Sequence, residues 1–120
     1  MKNTLTSRQV ETELSQQIRN FYLEKINFKP QKVTCSLFYK YLVVVADNAV
    51  TPIESNLWRS GDCNLIEQVR KEVDAILKPE LSKLISEFLE VKVVELLSKT
   101  ALETNRCIVL AILSQPLQVK

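Results

Sequence analysis

Two stretches of this chain, residues 41–46 and 106–113, are apolar at almost every position. Both are strand-sized and rich in β-branched side chains, which favour extended backbone. A strand in a sheet with one wet face alternates apolar and polar residues. These two do not alternate. Cys107, Val109, Ala111 and Leu113 fall on one side of the later run, with Ile108, Leu110 and Ile112 on the other, and Val43, Val44 and Val45 repeat the pattern in the earlier run. Any fold must therefore supply cover for both faces of the sheet's middle. Either the N-terminal helix crosses to the second face, or another subunit covers it.

The rest of the chain divides by period. Thr6-Ser7-Arg8-Gln9 has the form of a capping box, and Val10, Leu14, Ile18, Phe21 and Tyr22 then recur at helical spacing. That predicts a helix over residues 7–25, ending before Pro30. Residues 32–39 change to a strand composition and sit so close to 41–46 that the two must pair as an antiparallel hairpin. Tyr39-Lys40 is poor chemistry for a two-residue turn, because neither residue favours positive φ. The hairpin is therefore better determined than its register.

Thr51-Pro52-Ile53-Glu54 is the clearest local signal. Thr51 can cap, Pro52 loses nothing at the first helical position, and Glu54 can reach back to the cap. A short helix should follow with Ile53 and Leu57 inward, and break at Ser60-Gly61-Asp62. From Asp62 or Asn64 a long helix carries the apolar stripe Leu65, Val69, Val73, Ile76, Leu77, Leu81, Leu84, Ile85 and Phe88. Pro79 lies inside it, at a penalty of about 3 kcal/mol in a straight helix. Because the stripe keeps phase across Pro79, one helix kinked near Lys78 is expected, roughly 35–40 Å long at 1.5 Å per residue. Strands over 91–98 and 106–113, joined by the polar loop 99–105, close the chain. The expected class is α+β in the order α-ββ-αα-ββ, with residues 1–120 forming a single domain. A four-stranded, mainly antiparallel sheet packed with helices is the natural arrangement, its strand order left open.

Composition removes most catalytic classes. The chain has 120 residues, no His and one Gly. Without His there is no Ser-His-Asp or Cys-His catalysis and no His-containing metal triad. A single Gly cannot build a phosphate-cradling loop. Three cysteines at wide spacing, with no Cys-x-x-Cys, form neither a disulfide framework nor a metal knuckle. No metal or cofactor site is expected. No secretory signal or bilayer-length apolar run is visible, so the expected location is cytoplasmic, with reduced thiols. Net charge is +2, with residues 1–40 at +4 (seven basic, three acidic) and 41–120 at −2 (nine basic, eleven acidic). That asymmetry is too mild for a strong nucleic-acid signature.

Taken together, Pro30 before the strand at Val33, Val50-Thr51-Pro52-Ile53-Glu54-Ser55-Asn56-Leu57, Arg70 on the long helix and the strand–loop–strand over 91–113 resemble the MpsC-like family of small bacterial domains, named for a sodium-translocating, membrane-potential-generating system linked to inorganic carbon uptake. Pro30 followed by the strand at Val33 is similar to the family's Gly-Pro-strand segment. Val50-Thr51-Pro52-Ile53-Glu54-Ser55-Asn56-Leu57 is similar to its Leu-Thr-Pro-x-Glu-x-x-Leu motif, and Arg70 falls where the family tends to carry an Arg on its long helix. The closing strand–loop–strand over 91–113 has the family's length and polarity. The resemblance covers residues 10–113, with Phe28-Lys29 standing where the family often has Arg-Gly. It implies an accessory or regulatory role and no defined catalytic residues.

The candidate contact residues are Arg70, Thr51, Glu54, Trp58 and Arg59. A capping box accounts for Thr51 and Glu54 without a ligand. Arg70 is expected to pair with Glu67 or Asp74 along its helix, although its planar fork also suits a carboxylate or bicarbonate-like anion. Trp58 and Arg59 either cover the edge of the core or form an interface contact. Cys63 follows Asp62 at a helix start, where the neighbouring carboxylate opposes thiolate formation, and no redox role is expected. The lysines Lys25, Lys29, Lys32 and Lys40 near Phe21, Tyr22 and Phe28 raise a remote nucleic-acid reading. Glu54, Asp62, Glu87 and Glu95 are not spaced as an acid–base pair, so the chain is read as no enzyme. The leading reading is an interaction module that forms a homodimer or docks on a protein partner, and the alternative is a small-anion or metabolite sensor.

Overall fold

The computed structural model describes residues 6–117. The signal-sequence reading of the N-terminus falls partly on residues 1–5, outside the described residues. Helix α1 (Ser7–Ile26) is followed by strands β1 (Lys32–Phe38) and β2 (Tyr41–Asp47), helices α2 (Pro52–Ser60) and α3 (Cys63–Leu89), and strands β3 (Val93–Ala101) and β4 (Arg106–Leu113). This is the α+β order read from the sequence. The sheet is antiparallel throughout, in the order β1-β2-β4-β3, so the two strands that are apolar on both sides lie in its centre.

Local chemistry sets each start and stop. The capping boxes Thr6/Gln9 and Thr51/Glu54 are both formed, with Pro52 in the first turn of α2. Asp62 caps α3 by accepting from Leu65 N–H at 3.1 Å. Gly61, at φ 80°, ends α2 in the left-handed region where a Cβ is penalised. The β1–β2 turn uses two residues, with Phe38 opposite Tyr41, and Tyr39 takes φ 56° despite its side chain. The packing of Val33, Cys35, Leu42, Val44 and Ala46 on one face outweighs the roughly 1–2 kcal/mol such a backbone costs.

Four expectations change. First, α3 is continuous over 27 residues with Pro79 inside it, so the single-helix reading holds, whereas the kink near Lys78 is not confirmed. Second, its buried side is Ile66, Leu77, Leu81, Ile85 and Leu89, while Leu65 and Ile76 are exposed. A stripe chosen by apolarity alone had merged two adjacent helical faces. Third, α2 turns Glu54 inward rather than Ile53, which is 63% exposed. The last strand pair is also offset, with β3 starting at Val93 and a bulge between Val93 and Glu95.

Both long helices lie on one side of the sheet. Val10, Leu14, Ile18, Phe21 and Tyr22 of α1 share one buried cluster with Leu77, Leu81, Ile85 and Leu89 of α3 and with Val44, Cys107, Val109 and Ala111 of the sheet. Lys25 of α1 and Glu80 of α3 approach to 3.9 Å. Helix α1 therefore does not cross to the second face. The polar groups of its first turns instead reach the outer edge of β1, where Glu11 Oε2 accepts from Leu37 N–H at 2.6 Å and Ser15 Oγ accepts from Cys35 N–H at 3.0 Å.

Candidate functional site

Two regions compete for function: a buried ionic node on the helix side and the open face of the sheet.

The node begins at the start of α2. Asn105, in the β3–β4 turn, accepts at its backbone oxygen from Asn48 N–H and at Oδ1 from Val50 N–H, both at 2.8 Å. Those bonds hold the loop that delivers Thr51. Glu54 is completely buried, and among the described residues it is the only buried charged side chain. Its Oε1 accepts from Thr51 Oγ1 at 2.9 Å and from Thr51 N–H at 3.3 Å. Arg70 of α3 closes the group, with Nη1 at 3.1 Å from Glu54 Oε2 and Nη2 at 2.9 Å from Asp74 Oδ1. Burial by itself would lower the Arg70 pKa, but the carboxylates of Glu54 and Asp74 reverse the effect and raise it.

Beneath Arg70 the helix side closes on the sheet. Tyr22, Arg70, Asp74, Lys78, Ser98 and Cys107 line a cavity of only about 10 Å³, room for one water. The Tyr22 hydroxyl lies 3.9 Å from Cys107 Sγ, and burial pushes its pKa well above the ordinary phenol range. No group of three or more metal-ligating side chains occurs among the described residues. With one guanidinium between two carboxylates, the node carries net charge −1, and the Arg fork is already engaged. Its observed work is to join α2 to α3.

The structure thus brings together Thr51, Glu54 and Arg70 from the sequence-derived candidates. Trp58 and Arg59 stand apart: Trp58 is exposed, and Arg59 donates to Asn56 of its own helix. Sequence reasoning found the Asp74 partner of Arg70 but missed Glu54, because a contact across the α2–α3 turn has no periodic signal. Tyr22 and Cys107 were visible only as core positions. The lysines do not form one patch. Lys25 is near Glu80, and Lys40 sits over the Tyr39 ring at the hairpin tip. Lys32 opens β1, at the other end of the hairpin, roughly 20 Å from the tip at 3.3 Å per residue.

The second region is the sheet face turned away from the helices. Strand register aligns Thr34, Val45, Ile108 and Lys99 in one row, and Ser36, Val43, Leu110 and Leu97 in the next. A third row runs Phe38, Tyr41, Ile112 and Glu95. The centre of this face is aliphatic, and no described element lies over it. Phe38 is 73% exposed, and Leu97, Ile108, Tyr41 and Val43 are all exposed as well. Their clustering matters more than any single exposure, since isolated apolar surface residues are ordinary whereas contiguous ones mark contact surfaces.

No helix among the described residues is long and apolar enough to cross a membrane. Comparison with curated proteins and with solved structures returns no match. The family model described as Na+-translocating membrane potential-generating system (MpsC) matches residues 6–115, and the chain belongs to that family.

Proposed function

We propose that this protein is a non-catalytic accessory module of a sodium-translocating, membrane-potential-generating system, acting from the cytoplasm by protein–protein contact. The observation that carries this reading is the open sheet face, whose aliphatic centre spans β2, β4 and β3 without cover. In water that surface is a standing hydrophobic driving force toward association, at roughly 25 cal/mol for each Å² removed. The family description supplies the setting, and the chain's chemistry supplies the mode.

The small-anion sensor reading has less support. Arg70, the residue on which it rests, already bridges buried Glu54 and half-buried Asp74, so an incoming anion would have to compete with one of these two carboxylates.

The test compares membrane potential, read with a voltage-sensitive dye, in cells lacking the gene and carrying either the wild type or Ile108→Glu. Ile108 is exposed, so the variant should accumulate and melt like the wild type while failing to restore the potential. Full restoration by folded, normally abundant Ile108→Glu would overturn the proposal.

A further inference from the structure

The two edges of the sheet are treated differently beyond the first residue of β3, where Val93 N–H donates to Ser86 Oγ of α3 at 3.1 Å. On β1 the outward N–H groups of Cys35 and Leu37 are bonded by Ser15 and Glu11 of α1, which closes that edge to any further strand. This bonding also fixes the direction of every backbone group in the sheet. In an antiparallel ladder alternate residues point their N–H and C=O to opposite sides. Cys35 points outward, so Thr34 and Ser36 bond β2. Through the register, Val44 and Val109 then bond each other, and Ile108 and Leu110 bond Lys99 and Leu97 of β3. Leu96, Ser98 and Thr100 are left pointing outward from β3, and among the described residues no bond to their backbone groups is found beyond the ladder.

Charges on such an edge ordinarily prevent pairing. Here they are arranged symmetrically. Glu95 and Lys99 lie two residues before and two after Leu97, all three on the open face. Among the described residues neither Glu95 nor Lys99 has an ion-pair partner within the chain. A second copy placed antiparallel about a two-fold axis at Leu97 sets Glu95 opposite Lys99 of its partner, twice. In the same register Leu96 faces Ser98, the pair whose backbone groups are free. The Leu97 pair and the Glu95–Lys99 pairs then occupy non-hydrogen-bonded sites, where side chains stand closest. Other registers lose this match, and parallel pairing sets like charges together.

We propose that two copies of this chain join through β3, antiparallel about Leu97, to form one continuous eight-stranded sheet whose open apolar face is shared. The interface is isologous, and the guarded β1 edge stops further strand addition, so assembly closes at two. The proposal rests on the open-face reading above and names its first partner.

The test is sedimentation equilibrium of the full chain with reductant, for wild type, Glu95→Lys, Lys99→Glu and the double exchange. The wild type should sediment at twice 13.8 kDa. Each single exchange creates two like-charge pairs and should raise the dissociation constant about tenfold or more. The double exchange should return it to near the wild-type value. Both positions are exposed, so circular dichroism should be unchanged in all four proteins. A wild-type monomer at tens of micromolar overturns the dimer while leaving docking on another protein intact. A dimer indifferent to the exchanges but lost in Val43→Glu overturns the edge geometry in favour of stacked faces. Loss of potential in Ile108→Glu without loss of the dimer separates the two proposals.

Discussion

Val43 and Val44 are identical side chains on adjacent residues, yet one is 36% exposed and the other 1%. The same split runs along β4, where Ile108 faces out and Val109 faces in. Composition cannot distinguish the two faces of this sheet. The difference lies in where the helices go: α1 and α3 both bear on the Val44 side, and no described element covers the Val43 side. An apolar face can thus belong to the core or to an interface, according to whether its cover is in the same chain.

The sharpest way to break this contrast is to place a charge on each face. Val44→Asp should cost more than about 4 kcal/mol and leave little folded protein, because a buried carboxylate there has no partner. Val43→Asp should change monomer stability by less than about 1 kcal/mol. Urea unfolding followed by circular dichroism reads both, and equal losses would show that the second face is covered within the chain.

Next in size is the ionic node of the helix side. Arg70→Ala leaves Glu54 buried with only the Thr51 bonds and should cost about 3–5 kcal/mol. Glu54→Gln retains the cap and should cost less, about 1.5–3 kcal/mol for a lost charge-assisted bond. Should Arg70→Ala instead be nearly neutral in thermal melts, the node would be a ligand site rather than a brace.

Alkaline pH should weaken the packed side selectively. Burial raises the Cys35 thiol from 9.0 to about 11, and the Tyr22 phenol is raised further. Both are neutral in the folded state at a pH where the unfolded chain ionises. The Cys35 contribution is therefore complete below about pH 9 and is lost as pH rises through about 11, whereas that of Tyr22 is complete below about pH 10 and is lost only at higher pH still. Stability measured from pH 8 to 11 should fall, and Cys35→Ala should shrink the slope between pH 9 and 11.

The smallest effect is chemical rather than energetic. Cys35 and Cys107 lie on the packed face, while Cys63 is exposed at the start of α3. A disulfide reagent at neutral pH should titrate one thiol rapidly in native protein and all three after denaturation. Rapid reaction of two would mean that the packed face opens on the assay's timescale.

Much of this was legible in the sequence because it rests on local chemistry. Thr6 and Thr51 caps, the Gly61 stop, the spacing of Val10, Leu14 and Ile18, and the limits of β4 depend on neighbours within four residues. The α3 stripe was less legible. Leu65 and Ile76 are as apolar as Ile66 and Leu89, and only the direction of packing separates them. Glu54 is legible as a cap and as a candidate contact, but not as the partner of Arg70, which approaches only when α2 folds against α3.

The sequence by itself determined the α+β class, the element order, the absence of His-dependent chemistry and the surplus of apolar surface in two strands. Each follows from residue type and short-range spacing. Tertiary structure alone decided that both long helices share one face, that β2 and β4 are central, that Glu54 meets Arg70, and that β3 keeps a free edge over residues 96–100. Those outcomes depend on contacts between residues far apart in the chain, whose pairing is set by the joint packing of all seven elements.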